Sequence, residues 1–183
     1  MRGRAAVLAD PLLDRVLISS EEIADKVAEL GAAITRDYED RDPVLLTVLR
    51  GGLVFLADLC RHIDLPLTMD FMAVSSYAGG GAAVRITKDL DDAIEGRHIL
   101  VVEDIIDTGL TLNYLMGVLR QRHPESIEVC TLLDKDARRI ADLPLAYRGF
   151  RIPDRFVVGY GLDLGGRFRN LPFIATLKDE VMG

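Results

Sequence analysis

Apolar positions along this chain follow two periods that take turns. Ile23, Val27, Leu30 and Ile34 share one helical face behind Ser19-Ser20-Glu21-Glu22, a capping-box sequence, and predict a helix over residues 20–38. Pro43 closes the connection to Val44–Leu49, an apolar run that stops at Arg50-Gly51-Gly52. Helical spacing resumes from Leu53 to Ile63 through Val54, Ala57 and Cys60, so this stretch reads as strand, glycine turn, helix. Leu67 to Val74 alternates as a strand does, and Ser75-Ser76-Tyr77-Ala78-Gly79-Gly80-Gly81 is too glycine-rich to hold one rigid shape. A mobile loop is expected there.

Val84 to Thr87 reads as a short strand and Leu90 to Gly96 as a polar connection. Ile99 to Val102 is apolar on both faces, as a central parallel strand must be, and Leu112, Leu115, Met116 and Leu119 mark a helix that stops at His123-Pro124. Ile127 to Leu133, Phe156 to Tyr160 and Phe173 to Leu177 are the remaining strand candidates. Strands alternating with helices predict an α/β fold, a mostly parallel central sheet flanked by helices with right-handed crossovers.

One segment carries more chemistry than the rest. The apolar run Ile99-Leu100-Val101-Val102 breaks off into Glu103, Asp104 and Asp107, then a Thr108-Gly109 turn that opens a helix. Ligands of open α/β sheets bind at the carboxyl ends of the strands. Backbone N–H groups at a helix N-terminus favour an anion, so the segment suits a phosphorylated sugar.

Composition narrows the field. At 183 residues, 49% of them hydrophobic, residues 1–183 suffice for one domain with a full core. Residues 1–10 lack a continuous apolar stretch and no run reaches a membrane span, so a soluble, cytoplasmic protein without membrane contact is expected. Cys60 and Cys130 sit at apolar-patterned positions and read as core thiols, not as a disulfide or zinc site. A net charge of −7 disfavours a broad nucleic-acid footprint and favours a small ligand. Local basic pockets are still available around Arg85 and Lys88, and around Lys135, Arg138 and Arg139. His62, His98 and His123 have no evident partners and are not proposed as ligands or bases.

Three strand ends thus carry polar loops: Arg50-Gly51-Gly52, Glu103 to Thr111, and Lys135 with its neighbours. Here the chain resembles the type I phosphoribosyltransferases, and among them the hypoxanthine-guanine group. Val101-Val-Glu-Asp-Ile-Ile-Asp-Thr-Gly-Leu-Thr111 matches the family's phosphoribosyl pyrophosphate motif, in a strand-loop-helix context. Leu49-Arg50-Gly51-Gly52 is similar to its pyrophosphate loop, Ser75-Ser76-Tyr77 to its lid, and Phe156 to Asp163 with Arg169 to its base and metal segment. The resemblance runs from about residue 10 to residue 178 and implies that fold with a small hood from the terminal segments. In two places the chain departs from it: the segment between Tyr77 and Val84 is shorter than many lids, and Gly165-Gly166 stands where many relatives carry an aromatic and charged residues.

What the resemblance implies is a chemistry that needs these residue types together. Displacing pyrophosphate from C1 of a ribose builds positive charge on the sugar and negative charge on the leaving group, and both must be stabilised. By resemblance, Glu103 and Asp104 hold the ribose hydroxyls, and with Asp163 they form the metal set for Mg²⁺. The segment Ile106, Asp107, Thr108, Gly109, Leu110 and Thr111 cradles the phosphoribosyl group, while Arg50, Gly51 and Arg169 reach pyrophosphate. In family members a non-proline cis peptide lies at or next to the residues matching Arg50-Gly51. Asp107 acts as general acid/base at N7 of the purine. Lys135 donates to O6, a choice that suits hypoxanthine or guanine and opposes the amino group of adenine. Phe156 stacks on the base, the Val157 backbone meets its Watson–Crick edge, Asp163 completes the purine set, and Ser76 and Tyr77 form the lid. A homo-oligomer, dimer or tetramer, is implied as well.

Two rival readings are weighed against this one. A phosphoribosyl pyrophosphate-sensing regulator that binds nucleic acid is opposed by Asp107 and the acidic balance. An aspartate-based phosphatase is fitted poorly by the Thr-Gly-Leu-Thr turn and Lys135.

Overall fold

A computed structural model describes residues 10–76, 84–141, 143–178 and 180. Its main sheet has six strands: β2 (Val44–Leu49), β3 (Thr68–Ser76), β4 (Val84–Lys88), β5 (His98–Ile106), β6 (Ser126–Asp134) and β7 (Leu145–Arg151), ordered β4-β3-β2-β5-β6-β7. All neighbours are parallel except the β3–β4 edge hairpin. Three helices lie against it: α1 (Ser20–Asp37), α2 (Leu53–Leu59) and α3 (Leu110–Arg120). A second antiparallel sheet joins both ends of the chain, β1 (Leu13–Ile18), β9 (Ile174–Leu177) and β8 (Val157–Val158), in the order β1-β9-β8.

The continuous apolar runs of the central strands are explained by two cores, one on each face. Leu45, Leu100, Val102, Cys130 and Leu132 pack with Ile23, Val27, Leu30 and Ile34 of α1 and with Phe55, Leu56 and Leu59 of α2. Their strand neighbours Val44, Leu46, Ile99, Val101 and Val129 face the other way, onto Leu112, Leu115, Met116 and Leu119 of α3. Burying each of these side chains contributes roughly 1.5–3 kcal/mol. The capping box forms as its sequence requires: the Glu22 amide donates to Ser19 Oγ at 3.2 Å and the Ser19 amide to Glu22 Oε2 at 2.8 Å.

Several elements differ from the sequence expectation. The helix after Arg50-Gly51-Gly52 ends at Leu59 and tightens into a 3-10 turn over Cys60–His62. The α3 helix ends at Arg120, before His123, which takes a positive φ of 54°. The strand expected over Phe156–Tyr160 shrinks to Val157–Val158, because the backbone turns left-handed at Gly159, Tyr160 and Gly161. β1 and β7 were not anticipated. Each is an edge strand with few buried positions, so neither presents an apolar run, and β7 carries Arg148 and Gly149 in its middle. β3 continues through Ser76, and the rest of the expected loop, including Tyr77, lies outside the described residues.

Candidate active site

β2, β5 and β6 run parallel, so the polar segments following them emerge at one edge of the sheet. β5 is longer than its apolar run suggested. Glu103 pairs with Thr131 and Ile106 with Asp134 of β6, which places the acidic pair inside the ladder and not beyond the strand. Side chains alternate across a strand, so the two carboxylates face different spaces. Glu103 lines a cavity of about 190 Å³ with Val48, Ile106, Asp107, Thr108, Gly109, Leu110 and Thr111. Asp104 lines one of about 340 Å³ with Gly51, Asp107, Lys135, Phe156, Val157, Asp163 and Arg169. Asp107 borders both.

The first cavity is shaped by a turn that needs glycine. Gly109 caps α3 at φ 76°, in the left-handed region, and a β-carbon there would press on Leu143 at 3.0 Å. The carbonyl of Thr108 accepts from the amides of Ile140 at 3.0 Å and Ala141 at 3.3 Å, tying this turn to the segment after β6. The first amides of α3 have no acceptor within their own helix, and this end of the helix borders the cavity.

The wall of the second cavity nearest β2 is the turn Arg50-Gly51-Gly52, entered through a cis peptide between Leu49 and Arg50. A side chain on Gly51 would overlap the Asp104 carboxylate, and one on Gly161 would overlap the Gly51 carbonyl. Gly161 thus packs on the Gly51 backbone, and Gly51 on Asp104, without room for a β-carbon at either glycine. Arg50 is exposed. Arg169 pairs with Asp163 at 2.5 Å and donates to the Gly161 carbonyl at 2.5 Å, which fixes the guanidinium at the cavity wall.

Lys135 is only 6% exposed, an unusual burial for a lysine. Its amide donates to the Ile106 carbonyl at 3.0 Å, and its ammonium lies 3.7 Å from Asp154 Oδ1. The same Asp154 oxygen lies 3.3 Å from Arg138, whose Nε is 3.2 Å from Asp107 Oδ1. Four alternating charges thus connect Asp107 to Lys135. Phe156 is half-exposed at the cavity mouth, and Val157 is buried in β8. Sequence reasoning placed Arg138 only in a basic cluster and passed over Asp154. A lone aspartate in a Pro153-Asp154 turn carries no periodic or motif signal.

Burial decides the electrostatics of the acidic pair. Removal from water pushes the Glu103 carboxyl well above the ordinary range, and the Asp104 charge adds to it. Burial likewise pushes Asp104 up to about 6, helped by Asp163 and opposed by the Ile105 amide and by Arg169. One Glu103 oxygen, Oε1, is buried without a hydrogen-bond partner. Buried carboxylates short of partners are the donors a hard divalent cation takes, and Mg²⁺ is bound through one or two of them plus substrate oxygens and water. Glu103 and Asp104 fit that sparse mode, whereas Asp163 is partly exposed and already paired with Arg169. The three do not form a ready-made cage, and among the described residues no cluster of three or more metal-ligating side chains occurs. No helix among the described residues is long and apolar enough to cross a membrane.

Of the two expected lid residues, Ser76 ends β3 and Tyr77 lies outside the described residues. Cys130 is buried in the core as expected, and Cys60 is a partly buried free thiol.

Comparison with known proteins agrees with this layout. A family model described as the phosphoribosyl transferase domain matches residues 17–164. The hypoxanthine-guanine phosphoribosyltransferase of Bacillus subtilis (strain 168) is 54% identical over 172 residues, covering 92% of this chain and 96% of the relative. The enzyme of that name from Lactococcus lactis is 49% identical over 175 residues, covering 94% of this chain and 95% of the relative. A crystal structure of a hypoxanthine phosphoribosyltransferase from Staphylococcus aureus superposes with a TM-score of 0.93 at 44% identity, covering 100% of both chains. The mostly parallel sheet with helices against it is thus that of a known architecture, and this chain belongs to the phosphoribosyltransferase family, with the type I fold.

Proposed function

We propose that this chain is a purine-salvage enzyme that transfers the 5-phosphoribosyl group from phosphoribosyl pyrophosphate to hypoxanthine or guanine, releasing pyrophosphate and the nucleoside 5′-monophosphate. The observation that carries the reading is one cavity lined by Asp107, Lys135 and Phe156 that borders, through Asp107, a second cavity at a helix N-terminus. The first suits a 6-oxopurine and the second a 5′-phosphate. A ribose spanning them lies beside Asp107, which borders both.

In this reading the amides of Asp107 to Thr111 hold the 5′-phosphate, and Glu103 and Asp104 accept from the ribose hydroxyls. The turn Arg50-Gly51 and Arg169 hold the leaving pyrophosphate. Asp104, Asp163 and Glu103 would hold Mg²⁺, which when bound would supply positive charge against the pyrophosphate. Lys135 donates to O6 of the base, and its burial makes that contact selective, since an ammonium cannot accept from an amino group. Asp107 exchanges the proton at N7 as N9 attacks C1 and the bond to pyrophosphate breaks. Phe156 covers the face of the base, with Val157 at its edge and Ser76 and Tyr77 as the closing segment. A cytoplasmic homo-oligomer acting on small molecules is the accompanying proposal.

Chromatography of a mixture of enzyme, hypoxanthine, phosphoribosyl pyrophosphate and Mg²⁺ tests the reaction type. Equal amounts of inosine monophosphate and pyrophosphate are expected. Ribose 5-phosphate and pyrophosphate with the base untouched would mark a hydrolase instead.

A further inference from the structure

Asp134 closes β6 directly before Lys135 and is fully buried. One of its oxygens pairs with Arg139, five residues on, and the other lies 2.8 Å from Arg148 Nε in β7, an ion pair without hydrogen-bond alignment. A fully buried carboxylate between two partly buried guanidiniums is a costly way to fill a strand end, because its charge loses water there, and apolar side chains of like volume commonly hold such positions at no loss of stability. The backbone around it shows where that cost is spent. The Asp134 carbonyl accepts from the Ile152 amide at 3.0 Å, and the Lys135 amide donates to Ile106 at 3.0 Å. Arg139 sits in the middle of the segment leaving Lys135, and its next two amides, of Ile140 and Ala141, donate to the Thr108 carbonyl at 3.0 and 3.3 Å.

One short segment thus starts at the lysine of one cavity and ends on the turn of the other, and its midpoint is anchored to Asp134. We infer that Asp134, with Arg139 and Arg148, is a positioning residue that sets the base-binding Lys135 and the phosphate-binding Thr108 turn together. The inference rests on the roles given above to those two sites. Asp134 touches neither substrate; it fixes the span between two groups that do.

The test separates positioning from stability. Asp134→Asn keeps the shape and removes the charge. It is expected to lower the melting temperature and to raise the KM for hypoxanthine and for phosphoribosyl pyrophosphate each roughly tenfold, with kcat changed far less. Replacing all three groups with apolar ones (Asp134→Leu, Arg139→Met, Arg148→Met) removes all three charges of the triad, leaving none buried without its partner, and is expected to recover the melting temperature while both KM values stay raised. A triple variant with parental KM values overturns the inference, since the triad would then be structural alone. Arg139→Lys, which keeps the charge and loses the planar fork, is expected to raise both KM values a few-fold at an unchanged melting temperature, and parental values in it count against the clamp. In a Lys135→Met background the triple replacement should still raise the KM for phosphoribosyl pyrophosphate through Thr108, and no rise there overturns the inference. A Lys135→Met protein with a parental KM for hypoxanthine overturns only the role of Lys135.

Discussion

Lys135 and Asp107 face one cavity from the ends of neighbouring strands, and the backbone holds them in step: the Lys135 amide donates to the carbonyl of Ile106, the residue before Asp107, at 3.0 Å. A donor for O6 and a proton acceptor for N7 lie on adjacent edges of a purine, and adjacent parallel strands spaced about 4.8 Å apart supply groups at that separation. Asp107→Ala is expected to lower kcat with hypoxanthine by about 10²-fold or more. Steady-state rates check this, and an unchanged rate would remove Asp107 from the proton transfer.

Lys135→Met retains most of the apolar stem and removes the charged donor. A hydrogen bond from a charged group in a buried site is worth roughly 1.5–3 kcal/mol, so the KM for hypoxanthine should rise by about ten- to a hundredfold. The preference for hypoxanthine over adenine should shrink by a like factor. Competition between the two bases reads both effects, and an undiminished preference would place the selection elsewhere.

Gly51→Ala puts a methyl group where the Asp104 carboxylate now sits. The backbone turn or the carboxylate has to move, at about 1–3 kcal/mol. A lowered melting temperature and an activity loss of about tenfold or more are expected, the second because Asp104 is displaced from the reacting centre. Alanine at Gly117, where nothing lies within 4 Å of an added β-carbon, serves as the control that should leave activity intact.

The Asp104 carboxyl predicts a pH dependence with a definite sign. Its folded-state pKa, about 6, lies above the ordinary 3.8, so its contribution to stability is complete below about pH 4 and is lost as pH rises through 6. Asp104→Asn, which cannot ionise, escapes that loss. In the presence of a chelator the variant and the parent should melt together near pH 4, and the variant should melt higher above pH 7, by a difference on the order of 3 kcal/mol. A gap that does not widen between pH 4 and 7 would contradict the burial of that charge.

Periodicity alone revealed the central strands and the three α-helices of the described residues, because their apolar faces are long and regular: Val44–Leu49 appears with the same bounds in sequence and structure. It missed β1 and β7, whose pairing is set by neighbours and not by their own pattern; β7 is held in part by Arg148 reaching the buried Asp134. The site was legible wherever a motif has a fixed order, from Glu103 to Thr111. It was not legible where partners come from distant segments: Asp154 beside Lys135, the Gly161 position against Gly51, or the separation of Glu103 and Asp104 onto opposite sides of a strand that runs on to Ile106. Contacts of that kind depend on the folded chain, and local spacing does not encode them.

Initial rates with phosphoribosyl pyrophosphate, Mg²⁺ and each of hypoxanthine, guanine, adenine and orotate, measured on one preparation, test the central claim most directly. Turnover of hypoxanthine and guanine is expected, with kcat/KM for adenine and orotate lower by about 10⁴-fold, as a site built around a buried polar contact gives. Turnover of adenine or orotate with neither 6-oxopurine consumed would contradict the account.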